Sequence, residues 1–162
     1  MRHGKFCLFE SRAIVSYVDR VFPGSKLFPD DAVECSMIEQ WVSVANTAII
    51  PKMNAYLQGY FFPRTTDGQP NRTAIDASWP EVRTFLDLFN EAVRDTGHLV
   101  GTRFTYADMN LMPVLAYLHQ CPESGEALNA CGELRRYFEL HSERASFKAT
   151  VPPPFPELFP KR

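Results

Sequence analysis

Gly101-Thr102-Arg103-Phe104-Thr105-Tyr106-Ala107-Asp108, running on from Met109 to Leu118, is the stretch whose reading decides the fold. Thr105 and Asp108 stand at capping-box spacing. The Thr hydroxyl accepts from the N–H of residue 108, and the Asp carboxylate reaches back to the N–H of residue 105. Phe104 and Met109 fall at the N′ and N4 positions of a hydrophobic staple, which fixes the direction of entry into the helix. The helix that follows is apolar nearly all round (Met109, Leu111, Met112, Val114, Leu115, Ala116, Tyr117, Leu118), so it is expected at the buried centre of a helical body. Pro113 removes one hydrogen bond from it and predicts a kink.

Working outward, 162 residues suffice for a substantial core. A net charge of −2 offers no electrostatic footprint for nucleic acid or acidic membranes, so neither is expected as a partner. No apolar run is long enough to cross a bilayer, and no signal peptide is recognisable, which makes a cytoplasmic location the expectation. Cys7, Cys35, Cys121 and Cys131 are scattered, without a Cys-x-x-Cys pair or a nearby His at ligand spacing. They read as small buried thiols, and no metal is expected.

At the start of the chain, His3-Gly4 reads as a turn and Lys5 to Phe9 as a short strand. Such a strand needs neighbours to pair with, and the sequence offers it none. Glu10-Ser11 then opens a helix from Arg12 to about Val21, with Ile14, Val15, Tyr17, Val18 and Val21 as its apolar stripe and Phe22-Pro23-Gly24 as its stop. A helix start leaves N–H groups unpaired and carries a partial positive charge, so it suits a carboxylate. Capping alone would also explain the pair, because Ser and acidic residues favour first turns.

Beyond a connector at residues 25–30, a long helix is predicted from Asp31 to about Gln58, bent or broken at Pro51. Met37, Trp41 and Ala45 share one of its faces at i, i+4 and i+8. Residues 60–77 read as a polar loop with a turn at Asp67-Gly68. Ser78, Pro80 and Glu81 suggest a second capping box, opening a helix that ends near Gly97. The charges Glu81, Arg83, Asp87, Glu91, Arg94 and Asp95 form a solvated face. Further helices are expected from Glu123 and around Leu134 to Leu140. The tail from Val151 holds five prolines and cannot be helical; Phe155, Leu158 and Phe159 are expected to anchor it.

Two of these stretches resemble one family. "KFCLFESRAIVSYV" is similar to the segment of glutathione transferases in which a strand leads into Glu-Ser-x-Ala-Ile at a helix start, and "LVGTRFTYADMNLMPVL" to the capped sixth helix of that fold. Glu39-Gln40-Trp41-Val42 followed by Pro51 resembles the fourth helix of its phi-like branch. The resemblance implies a mainly α chain. An all-helical C-terminal glutathione-transferase domain (residues 31–150) would follow the last strand and helix of a thioredoxin-like domain (1–24) and a linker (25–30), with a Pro-rich tail at 151–162.

The same resemblance implies that Ser11, through hydroxyl and backbone N–H, binds the γ-glutamyl carboxylate of glutathione. Glu10 would position its amino end, and Met37, Trp41 and Ala45 would line the pocket for an apolar electrophile. It further implies a homodimer and conjugation of the glutathione thiolate as the reaction. The residue that activates the thiol, and the cis-proline that pairs with the cysteinyl backbone, would fall before Met1. The expectation is therefore an N-terminally truncated homologue with no catalytic residue of its own and impaired activity. The alternative is a non-catalytic interaction or scaffold module of the same descent.

Overall fold

The computed structural model describes residues 1–151; the tail and its anchors Phe155, Leu158 and Phe159 lie outside the described residues. Strands β1 (Arg2–His3) and β2 (Phe6–Cys7) pair antiparallel, Arg2 opposite Cys7 and His3 opposite Phe6. Eight helices follow: α1 (Ser11–Val21), α2 (Ala32–Val44), α3 (Ile50–Phe61), α4 (Arg72–Ala92), α5 (Tyr106–Leu118), α6 (Pro122–Ala130), α7 (Gly132–Ser142) and α8 (Ala145–Thr150). The partnerless strand of the sequence reading is thus corrected. Gly4, at φ 62°, turns the chain back so that Met1 to His3 become its neighbour.

The predicted long helix is divided at the expected place, by an unexpected device. Between α2 and α3 the chain forms a π-helical turn, Ala45–Ile49, and Pro51 sits in the first turn of α3. Proline can give no N–H to the carbonyl four residues back and crowds it, so a widened turn ahead of it relieves both faults.

A second correction concerns α4. Ser78 does not open it and Glu81 closes no capping box: the helix begins seven residues earlier than that cap would place it, at Arg72, with Pro80 inside it. Asn71 is the cap. Its side chain accepts from Ala74 N–H at 3.1 Å, and its own N–H donates to the Gly59 carbonyl at 2.8 Å. That second bond brings the end of α3 against the start of α4. The approach is close, because a Cβ on Gly59 would stand 2.7 Å from Ile75 Cγ1.

The core gathers around α5, where Leu111, Met112, Leu115 and Leu118 are buried as predicted. Phe104 is partly buried, while Met109 keeps 41% of its surface exposed. Asp108 is fully buried and its carboxylate accepts four hydrogen bonds. Oδ2 takes the Thr105 N–H (2.8 Å) and hydroxyl (3.0 Å); Oδ1 takes the Leu99 N–H (2.9 Å) and the Tyr137 hydroxyl (3.0 Å). The capping box is present in both directions. A charge without a cation is tolerable here because four donors replace its water. Burial, then the Asp108 charge, pushes the Tyr137 phenol far above its ordinary range, so it remains a donor.

Nearby, His141 is buried and its Nε2 donates to the Gly97 carbonyl at 3.1 Å. The sequence-based view of uniformly buried thiols holds for Cys121 and Cys131. Cys7, on the short hairpin, is exposed, and Cys35 is half-buried. Burial pushes the Cys121 thiol up to about 12, which leaves it inert.

Two outcomes are expected in thermal or urea melts. Asp108→Ala strands four buried donors on three different segments, so it should cost about 3 kcal/mol or more, well beyond the ~1 kcal/mol of a lost cap; Tyr137→Phe should cost about 1.5 kcal/mol. The second outcome concerns pH. Burial holds His141 below the usual imidazole value, outweighing the Gly97 bond and the Asp108 charge that favour protonation. The unfolded chain therefore takes up a proton below about 6.5 that the folded chain resists, so stability is intact above that pH and declines as pH falls beneath it. His141→Gln should flatten the decline between pH 7 and 5.5.

Candidate functional site

The start of α1 is the best-marked polar site among the described residues. Glu10 is its N-cap and has φ 69° and ψ 120°, the one non-glycine positive φ among them. A backbone held there costs roughly 1–3 kcal/mol and persists only where surrounding structure imposes it. The Glu10 side chain caps nothing, and both Glu10 and Ser11 are exposed. The first N–H of this helix taken up by its own backbone is that of Ile14, by the Glu10 carbonyl at 2.9 Å. The N–H groups of residues 11–13 are thus end-of-helix donors, with a serine hydroxyl beside them and an exposed carboxylate one residue back. Chemically, the arrangement suits a ligand that carries a carboxylate and an ammonium close together.

This helix start touches the capped helix. Burial raises the pKa of the Tyr106 phenol, while the Arg12 charge and a hydrogen bond with the Ser11 side chain oppose the shift. Tyr106 is the first residue of α5, so the two motifs, about a hundred residues apart in sequence, lie close enough for Ser11 and Arg12 to influence its phenol. The connector holds the junction. Asp19 of α1 accepts the Leu27 N–H at 2.6 Å, the Leu27 carbonyl accepts the Tyr106 N–H at 3.1 Å, and the Phe28 ring lies 5.2 Å from that of Tyr106.

The three pocket candidates are brought to one side of α2 but into different settings. Met37 is exposed, Trp41 is half-buried with its ring 5.8 Å from Phe89 of the core, and Ala45 is buried in the π turn. Sequence reasoning missed the hollow beside them. A cavity of about 650 Å³ lies between α1 and α2, lined by Arg12, Ser16, Asp19, Lys26, Cys35 and Glu39 among others, and Arg12 pairs with Glu39 across it. The signal was available, since Arg12, Ser16 and Arg20 are a polar stripe at i, i+4 and i+8.

A polar cluster at the far end of the bundle was also missed. Arg72 meets Glu123 at 2.6 Å and Asp76 at 2.5 Å, and Tyr60 also donates to Glu123. Burial would raise the Glu123 pKa, but the Tyr60 and Arg72 hydrogen bonds outweigh it and hold the carboxyl below its ordinary value. Its members come from α3, α4 and α6, and no local spacing announces them. Among the described residues no cluster of His, Cys, Asp or Glu is arranged to hold a metal ion.

Comparison with known proteins places this geometry. The family model for the glutathione S-transferase C-terminal domain matches residues 72–140, from α4 into α7. Human elongation factor 1-gamma is 27% identical over 146 residues, covering 90% of this chain but 32% of that protein. The chain therefore spans about a third of the length of the elongation factor relatives that it matches. Glutathione S-transferase F12 of Arabidopsis thaliana is 25% identical over 147 residues, with 90% of this chain and 69% of the relative covered. Among solved structures, glutathione transferase F2 from Populus trichocarpa superposes with a TM-score of 0.79 at 26% identity, over 91% of this chain and 70% of the other. These matches cover more of the chain than α4 to α7. Residues 72–140 thus match the glutathione S-transferase C-terminal domain, and the chain has the fold of solved glutathione transferases.

Proposed function

We propose that the start of α1 binds the γ-glutamyl end of glutathione. The α-carboxylate is received by the Ser11 hydroxyl and the free N–H groups of the first turn, and the α-ammonium by the Glu10 carboxylate. The observation that carries this reading is the strained backbone of Glu10 immediately before an exposed serine at a helix start. A strained exposed residue with no capping bond has no evident structural purpose, whereas a zwitterionic head group needs an acceptor and donors side by side.

In this reading no side chain of residues 1–151 is assigned to thiol activation, and the chain by itself is a weak glutathione binder and a poor conjugating catalyst; Met37, Trp41 and Ala45 on α2 would line the side for an apolar co-substrate. A second reading is favoured by the likeness to elongation factor 1-gamma over 90% of the chain, which shows the same body in a protein that is not named a transferase. In that reading the chain is a non-catalytic assembly module.

Glutathione titration followed by amide NMR separates the two. Saturable shifts at residues 10–13, weakened about tenfold by Ser11→Ala and also by Glu10→Gln, are expected. No shift there at millimolar glutathione, with the chain folded, would sink the glutathione reading. Conjugation of an aryl halide well above the uncatalysed rate, abolished by Ser11→Ala, would instead remove the non-catalytic one.

A further inference from the structure

The loop that joins α3 to α4 holds the one place in the chain where an Asp or Asn precedes a Gly, Asp67-Gly68. Residues 66–70 are all exposed. Gly68 takes φ 68° and has no Cβ to hinder approach to its nitrogen. Asp67 Oδ1 accepts the Gln69 N–H at 3.0 Å. That contact folds the carboxyl group back over the peptide bond that follows it, the side from which a five-membered ring with the Gly68 nitrogen closes. The nitrogen itself is held only loosely, because its N–H donates to the Thr65 carbonyl at 3.3 Å, long for such a bond. The Thr65 hydroxyl donates to the Gln69 carbonyl at 2.7 Å and closes the loop around the pair. Asp19, Asp31 and Asp108 also accept backbone N–H groups, but each is followed by a residue that carries a Cβ.

We propose that Asp67-Gly68 is a self-modification site, at which the backbone of the folded chain isomerises through a cyclic imide. The Gly68 nitrogen attacks Asp67 Cγ. A new C–N bond forms, the nitrogen loses its proton, and the carboxyl hydroxyl leaves with that proton as water. Water then adds back to one of the two imide carbonyls. Opening at Cγ restores the original residue. Opening at the main-chain carbonyl breaks the original C–N bond, so the chain now runs through Cβ and Cγ and a free α-carboxylate is left behind. One water is released and one is consumed, and no oxidant or reductant takes part. The product lengthens the main chain by one methylene between α3 and α4, beside the corner that Gly59 and Asn71 hold closely. The site shares no residue with the start of α1, and its chemistry does not depend on glutathione.

The test holds the full chain in mildly acidic buffer made with heavy-oxygen water, and follows its helix content by circular dichroism. Trypsin, cutting after Arg64 and Arg72, releases residues 65–72 as one peptide for chromatography and mass spectrometry. A second, separately eluting form of that peptide, carrying one heavy oxygen, should build up while the helix content holds. The free synthetic peptide of the same residues serves as the clock. Gly68→Ala should slow the conversion about tenfold, and Asp67→Glu, whose ring would need six members, should stop it. The proposal is overturned if the folded chain shows no second form over the time in which the free peptide converts. It is equally overturned if that form appears only after helix content is lost, or if the Gly68→Ala chain converts as fast as the parent.

Discussion

A single buried carboxylate holds three parts of the chain in register. Asp108 lies in the first turn of α5, but its four donors come from the cap of that helix, from the loop at Leu99 and from Tyr137 on α7. The charge can remain in the interior only while all of these converge on it, because water is not there to replace a missing donor. The arrangement is therefore close to all-or-none. It sets where the loop before α5 runs, how α7 lies across α5, and hence where His141 is held.

From that anchor, order passes to the front of the chain through Tyr106. Its N–H holds the connector at Leu27, its ring packs on Phe28 and its phenol lies near Ser11 and Arg12. Asp19 completes the loop by accepting from the connector. The short helix α1 buries none of its own residues, so these polar ties, together with the packing of Val15 and Leu27 on the core, are what set it in place. The strain at Glu10 is borne at that junction, where a ligand with paired opposite charges would find its complement.

The remainder of the bundle shows packing settling what propensity left open. Gly59 lets α3 and α4 approach until a methyl group would collide with Ile75, and the Asn71 cap closes the same corner. The Glu123 cluster then joins α6 to that pair with hydrogen bonds and charge at a half-exposed site, where an ion pair alone is worth little and a shared network is worth more.

The sequence by itself determined the elements whose signals are local. The cap at Thr105 and Asp108, the apolar run of α5, the division of the long helix near Pro51 and the polar start of α1 all rest on neighbours within a turn or two of helix. Its errors share a cause. Ser78 has the local spacing of a cap, yet the helix is capped at Asn71, whose N–H the Gly59 carbonyl takes from across the loop; the strand at Phe6 has a partner because Gly4 reverses the chain. Tertiary structure alone decided that Asp108 is a hub as well as a cap, that the start of α1 lies near Tyr106, and that Arg144 stacks on Phe104. Spacing along a chain reports which groups can meet within one element. Which donors reach a buried charge is settled by the packing of elements far apart in sequence, where an unmet polar group carries its full desolvation cost.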